Sequence, residues 1–200
     1  MRRIAIVLAL AAGALAPALS IEANAQTPDN PIATVPACPS TATLDQLITA
    51  IDAAVSGPAD KDRTCFRALF VPDARLIPIR VAADGTATPR VLTVDGWVDA
   101  VRKQGNQVFH ERQIKVRTET WGHIAHLWST YETRTAFGET GPDGKASEGK
   151  ASEGKIPEGK ILDRGINSIQ AVFDGKQWRV IEIIWQAETP ADPLPEKYLP

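Results

Sequence analysis

The second half of the chain contains two pairs of long β-forming runs, and a turn signal separates the members of each pair. The runs at residues 108–120 (VFHERQIKVRTET) and 123–137 (HIAHLWSTYETRTAF) flank Trp121-Gly122. The runs at residues 165–173 (GINSIQAVF) and 177–185 (QWRVIEIIW) flank Asp174-Gly175, which is a stronger hairpin signal. We therefore predict two long antiparallel hairpins, and a sheet, for this half of the chain.

The first half has helical spacing instead. Apolar residues from Leu44 to Val55 recur with a helical period, behind Thr41 or Thr43 as N-cap. The further elements predicted are a helix over about residues 61–70 ended by Pro72-Asp73, an edge hairpin over residues 75–94 around Ala83-Asp84-Gly85, and a third helix from Thr93 or Asp95 to near Gly105. Helices followed by long antiparallel strands predict an α+β domain.

This order of elements resembles the nuclear transport factor 2-like superfamily, the cone fold that also holds ketosteroid isomerase, scytalone dehydratase and polyketide cyclases. More closely, HIAHLWSTYETR, RGINSIQAVFDGKQWRVIEIIWQAE and the ending PLPEKYLP are similar to exported bacterial members with no assigned activity. The resemblance spans about residues 44–200 and implies a curved antiparallel sheet wrapped around about three N-terminal helices. It implies no particular function, because the superfamily holds enzymes as well as binding and interaction domains.

The N-terminus has the features of an export signal. MRR precedes an apolar run and the pattern Ala23-Asn24-Ala25, which predicts a cleaved signal peptide over residues 1–25. Gly13 and Pro17 interrupt the apolar run, which argues against a membrane anchor. We expect a periplasmic or secreted protein with an extended leader at 26–42, a cone-fold domain at 43–190 and a C-terminal tail at 191–200.

The cysteine content and the net charge further limit the cellular compartment and the partners that can be expected. Cys38 and Cys65 are the only cysteines, and a thiol pair in an oxidising compartment tends to close, so we predict a Cys38–Cys65 disulfide. The formal net charge is −2 at pH 7. With no basic surplus, nucleic acid and anionic membranes are not expected partners.

Residues 144–160 (GKASEGKASEGKIPEGK) form a tandem repeat between two predicted strands. Each unit carries one Lys and one Glu, and no aromatic side chain that could be buried. A Lys in every unit argues against a calcium loop, and no apolar helix follows as a phosphate loop would need. We predict a low-complexity connecting loop at 138–160, with a flap over the cone mouth as the one functional role left open.

Strand alternation selects the candidate site residues of the first hairpin. A two-residue turn at Trp121-Gly122 or Gly122-His123 places even positions of the first strand on the same face as odd positions of the second. This predicts that His110, Arg112 and Tyr131 share the inner face near one end of the cone, where His110 could act as base and Tyr131 as donor.

The register of the last hairpin has two solutions. A two-residue turn at Asp174-Gly175 places Asn167 on the face of Trp178, whereas a bulged three-residue turn places it on the face of Trp185. The second gives the more apolar face and brings Asn167 and Trp185 inward.

Two functions fit these residues. The first is an exported protein that binds a small apolar or amphipathic ligand at His110, Arg112, Tyr131, Asn167 and Trp185, or serves as an envelope interaction module without catalysis. The second is an isomerase, dehydratase or cyclase that uses the His110–Tyr131 pair. No cofactor or metal is expected, since His123 and His126 face opposite ways on one strand. An exposed sheet face with Trp128 would suit a homodimer.

Overall fold

The computed structural model describes residues 37–105, 108–135 and 159–200. The predicted signal peptide at 1–25, most of the leader and nearly all of the repeat loop lie outside the described residues. Within them, no helix is both long enough and apolar enough to cross a membrane.

Three α-helices precede the four strands of the two long hairpins, as predicted. Their bounds are α1 Leu44–Val55, α2 Thr64–Ala68 and α3 Val94–Arg102. Thr43 caps α1 in a capping box with Gln46, and Thr93 caps α3 by accepting from the Gly96 N–H at 3.0 Å. The second helix is shorter than expected because the chain enters a strand at Phe70, so that Pro72-Asp73 lies inside that strand.

The strands form one sheet. Their bounds are β1 Gly57–Pro58, β2 Phe70–Val81, β3 Ala87–Pro89, β4 Leu92–Thr93, β5 Val108–Trp121, β6 Ile124–Arg134, β7 Ile161–Phe173 and β8 Trp178–Ala187. The order is β1-β5-β6-β7-β8-β2-β3, with β4 also on β2, and all pairs are antiparallel except β2–β8. The predicted α+β class with both long hairpins is confirmed.

The core lies between α1 and one face of the sheet, called here the inner face. Leu47 and Ile51 of α1 pack in one buried cluster with Leu127, Ile169 and Ile183 of the sheet. Burial of each such side chain stabilises the fold by roughly 1.5–3 kcal/mol. The position of Leu127 confirms that odd positions of β6 point inward.

A β-bulge at Ile114 changes the register of the first hairpin. Near the two-residue Gly122-His123 turn the expected pairing holds, as in Val116 opposite Ser129. Beyond Ile114, which has no partner, Gln113 lies opposite Tyr131. The extra residue puts the β5 side chains on the far side of the bulge from the turn, residues 108–113, on the face opposite to the one expected. The predicted placement of His110 and Arg112 beside Tyr131 is therefore wrong.

The last hairpin also contains a bulge, at Ile181. A four-residue turn at 174–177 gives the pairing of Ala171 with Val180, and beyond Ile181 the pairing changes so that Asn167 lies opposite Trp185. Neither predicted turn length is formed, but each of the two face assignments left open by the sequence holds on one side of the bulge. The expected placement of Asn167 with Trp185 is confirmed.

The predicted disulfide is present. Cys38 and Cys65 are bonded, with 5.2 Å between their Cα atoms and 27 residues of separation. The bond ties the segment before α1 to α2.

The C-terminal segment (residues 192–200) runs across the opposite side of the sheet, called here the outer face. Thr130 Oγ1 on β6 donates to the Tyr198 carbonyl at 2.6 Å, and the Tyr198 ring lies 6.0 Å from that of Trp128. The outer face that bears Trp128 is therefore partly covered by the chain's own end.

Removal of the disulfide should destabilise the folded protein without changing its architecture. Because the bond closes a loop of moderate length, the Cys38→Ser/Cys65→Ser variant should lose about 3–4 kcal/mol of unfolding free energy, measured by denaturant titration. Wild-type protein with reductant should show a matching loss. A variant as stable as the oxidised wild type would contradict this role.

Candidate functional site

A group of polar side chains lies on the inner face, next to the apolar core. This interior polar cluster consists of Asp52, Glu111, Gln113, Ser129 and Asn167. Three strands and one helix supply it: β5 through Glu111 and Gln113, β6 through Ser129, β7 through Asn167, and α1 through Asp52. The bulge at Ile114 turns both β5 members inward.

The Gln113 side chain is the centre of the cluster. Its Nε2 donates to Asp52 Oδ1 at 3.1 Å and to Glu111 Oε1 at 3.3 Å. Its Oε1 accepts from Ser129 Oγ and from Asn167 Nδ2, the latter at 3.3 Å. Asn167 Nδ2 also donates to Glu111 Oε1 at 3.3 Å. One amide therefore links two carboxyl groups to side chains of β6 and β7.

Both carboxyl groups hold protons more tightly than usual. Desolvation by burial, reinforced by the nearby charge of Asp52, raises the pKa of Glu111 to about 7. Burial likewise raises the pKa of Asp52 to about 6, against the hydrogen bonds from Gln113, which lower it. The cluster can therefore bind or release protons close to neutral pH.

Glu111 and Asn167 border a small internal void of about 50 Å³. The remaining lining is apolar: Ile51, Val55, Phe66, Leu76, Trp97, Ile183 and Trp185. Such a volume can hold a few water molecules, whereas small-molecule sites measure about 300–1,000 Å³. This space among the described residues is thus smaller than a typical small-molecule site.

Tyr131 lies on the inner face, but its partner is Asp163. Tyr131 Oη donates to Asp163 Oδ2 at 3.2 Å. Burial, with the charge of Asp163, raises the pKa of the phenol, so Tyr131 stays protonated; burial also raises the pKa of Asp163. A Cβ on Gly165 would lie 2.2 Å from the Gln186 carbonyl and 2.8 Å from the Tyr131 ring, so glycine makes room for this arrangement.

The five residues selected from the sequence separate into two groups. Tyr131, Asn167 and Trp185 lie on the inner face, whereas His110 and Arg112 pair with Arg134 and Glu132 and turn to the other face. The His110–Tyr131 acid–base pair is therefore not formed. Whether any of these residues binds a ligand stays a prediction.

Sequence reasoning missed Asp52, Glu111 and Gln113. A regular strand, without a bulge, puts Glu111 and Gln113 on the opposite face from Tyr131. Asp52 did carry a signal: it lies four residues after Ile48 and three before Val55, so a carboxylate interrupts the apolar side of a helix.

A larger space lies on the outer face. It is a groove of about 460 Å³ between the sheet and the C-terminal segment. Its lining is Ile79, Trp128, Ile166, Ser168, Ile184, Trp185, Gln186, Ala187, Glu188, Asp192, Pro193, Leu194, Pro195 and Tyr198. We call it the outer groove. Among the described residues that line it, none is Lys or Arg.

The polar groups of the outer groove are few. Ser168 Oγ lies 3.1 Å from His126 Nε2. Glu188 pairs with Arg164 at 2.7 Å and accepts from the Leu194 N–H at 3.3 Å, which attaches the C-terminal segment to the sheet. The Trp128 Nε1–H is shielded from water and has no hydrogen-bond partner.

No metal centre accompanies either site. Across residues 37–105, 108–135 and 159–200, no three His, Cys, Asp or Glu side chains are arranged to hold a metal ion.

Solved structures of similar shape include cystatin-like and NTF2-like proteins of unknown function. A cystatin-like protein from Nostoc punctiforme PCC 73102 is 8% identical over 74% of this chain and 90% of its own, with a TM-score of 0.48. An NTF2-like protein from Silicibacter pomeroyi DSS-3 is 13% identical over 72% and 92%, with a TM-score of 0.43, and another from Shewanella baltica OS155 is 15% identical over 73% and 91%, with a TM-score of 0.44.

All three identities lie between 8 and 15%, and all three TM-scores lie below 0.5. No family model and no curated protein matches the chain. At such low identities, nothing about a ligand, an activity or a partner passes from these structures to this protein.

The interior carboxyl groups predict how stability depends on pH. Their pKa values in the folded state, about 6 and about 7, exceed the ordinary values of 3.8 and 4.5. Between about pH 4 and 7 the folded protein therefore binds more protons than the unfolded chain, so this contribution lowers stability as pH rises. Thermal unfolding should give a higher Tm at pH 5 than at pH 8.

The Glu111→Gln variant should reduce this dependence. Because Gln keeps the shape and an acceptor but carries no charge, the variant should be more stable than wild type at pH 8 by on the order of 1–3 kcal/mol, with a smaller difference at pH 5. Glu119→Gln, an exposed position on the same strand, is the matched control. Equal pH profiles for Glu111→Gln and wild type would refute the assignment.

Proposed function

We propose that this protein is an exported binding protein that holds a small uncharged or cationic amphipathic molecule in the outer groove. The observation that carries the proposal is the mainly apolar lining of this groove of about 460 Å³, whereas two other surface clefts of about 490 and 520 Å³ have charged side chains in their walls and the space inside the cone measures about 50 Å³. The groove has the volume and the apolar lining of small-molecule sites, and the space inside the cone is smaller than such sites. The ligand site proposed here therefore lies on the outer face of the sheet and not in the cone interior that the sequence predicted.

The lining of the groove favours an amphipathic ligand. Isoleucines from three strands, Ile79, Ile166 and Ile184, form its floor with the Trp128 ring. Ser168 is a nearby polar group able to orient a ligand. An apolar floor with a few polar groups is the usual composition of such sites.

Charge narrows the class of ligand. The acidic residues that line the groove are Glu188 and Asp192. Glu188 forms an ion pair with Arg164, whereas Asp192 does not take part in that pair. An anionic headgroup would meet a negative rim, whereas a neutral or cationic one would not.

The disulfide supports the exported location, because such bonds persist in oxidising compartments. A homodimer through the outer face remains part of the proposal. Since the C-terminal segment contacts Trp128, such a dimer would have to include that segment in its interface or displace it.

Ligand binding can be tested with Nile red, an uncharged amphipathic dye. Full-length mature protein should enhance its fluorescence, and the Ile184→Trp variant, which fills the floor, should bind it at least about tenfold more weakly. Val91→Trp introduces the same side chain at an exposed position outside the groove and should bind like wild type. Equal binding by wild type and Ile184→Trp would overturn the groove assignment.

Competition should identify the headgroup preference. Decanol and decylamine should displace the dye more effectively than decanoate, because decanoate carries a negative charge to the rim of Asp192 and Glu188. Stronger displacement by decanoate would contradict the proposed ligand class. Circular dichroism and Tm values of both variants check that they remain folded.

A further inference from the structure

The β5–β6 turn exposes two large apolar side chains at one end of the sheet. Trp121 is 81% exposed and Ile124 is 59% exposed, on opposite sides of the Gly122-His123 turn. The two residues are paired in the ladder and so point to the same face. This apolar tip lies outside both sites described above.

The tip is held in place by the neighbouring strand. The Phe173 N–H donates to the His123 carbonyl at 2.8 Å, and His123 Nδ1 lies 3.2 Å from the Phe173 carbonyl oxygen. The two rings are stacked with centroids 6.1 Å apart. The exposed pair is thus presented on a fixed support.

The apolar tip is too small for a stable protein interface. The row of the tip continues with the half-buried Val172 and then Arg179, and the next row of the outer face is polar and consists of Glu119, His126, Gln170 and Glu182. An aromatic side chain buries at most about 250 Å², so the tip offers on the order of 300 Å², against about 800 Å² per partner in a standard interface. A partner that needs only a small, locally apolar contact suits it better.

Charges around the tip nearly cancel. Asp174 and Arg179 form an ion pair at 2.8 Å, and Glu119 and Lys176 carry opposite signs. No described cluster of cations surrounds the tip, so attraction to an anionic surface is not the basis of binding. The tip can instead make an apolar contact with a zwitterionic lipid surface. Tryptophan side chains favour the boundary between the lipid headgroups and the hydrocarbon.

We propose that the apolar tip, Trp121 with Ile124, is a reversible contact point for the interface of a zwitterionic lipid bilayer. Two side chains bury less apolar surface than a single acyl chain, which by itself gives only marginal membrane binding. The contact is therefore weak and transient, and it brings the protein to a membrane without anchoring it.

Vesicle binding by full-length mature protein tests the proposal. With phosphatidylcholine vesicles at millimolar lipid, wild type should co-sediment in part, with little change on addition of salt. Trp121→Ser should lower the partition coefficient by about tenfold or more, and Trp121→Phe should retain part of it. Val91→Ser, which removes another exposed apolar side chain, should leave it unchanged.

Three outcomes would overturn the proposal. One is absence of wild-type binding at these lipid concentrations, and another is equal binding by Trp121→Ser. The third is a wild-type dimer in sedimentation equilibrium that Trp121→Ser converts to monomer, which would assign the tip to a second copy of the chain. Nile red binding by Trp121→Ser should equal that of wild type, which keeps this test separate from that of the outer groove.

Discussion

The hydrogen bond between the Gln113 backbone N–H and Asp52 Oδ2, 3.0 Å long, determines much of this structure. It joins α1 to β5 at the bulge, and one helical turn further Ser56 Oγ both accepts from the Glu111 N–H and donates to its carbonyl. The helix thus holds the irregular part of the strand in place. Every side chain of β5 between the bulge and residue 108 takes its face from that contact.

The same contact explains why a carboxylate can lie beside the core. Asp52 satisfies a backbone donor that the bulge would otherwise leave unpaired, and an unpaired buried donor costs about 1–3 kcal/mol. The gain is offset because burial raises the pKa of both carboxyl groups, and the charge of Asp52 raises the pKa of Glu111 further. The cluster therefore specifies the register of β5 more than it stabilises the fold, which is one attested use of buried polar groups.

The elements that were predictable from sequence are those stabilised by local patterns. The α1 helix has its period and capping box between Thr43 and Val55, and both long hairpins have their turns marked by glycine. The disulfide followed from cysteine number and compartment. The bulges at Ile114 and Ile181 were not predictable in position, because contacts from distant residues stabilise them and neither has a distinctive residue at the extra position.

The same contrast between local sequence patterns and long-range contacts explains which parts of the candidate sites could be predicted. Asn167 and Trp185 could be placed inward because apolar alternation on β7 and β8 survives one bulge. The outer groove could not be foreseen, since the C-terminal segment is rich in proline and has no period from which its path could be read. Its position depends on single contacts, such as Glu188 with the Leu194 N–H and Thr130 with the Tyr198 carbonyl.

The two faces of the sheet differ in what they leave open for function. On the inner face, α1, α2 and α3 supply enough side chains to fill the cone, and the polar groups there are already bonded to one another. On the outer face the only cover among the described residues is a short segment without regular structure apart from Glu196–Tyr198. A segment held by few hydrogen bonds can open at low cost in free energy, whereas the cone cannot open without loss of the core. Binding that requires exchange with solvent is therefore more readily accommodated on the outer face.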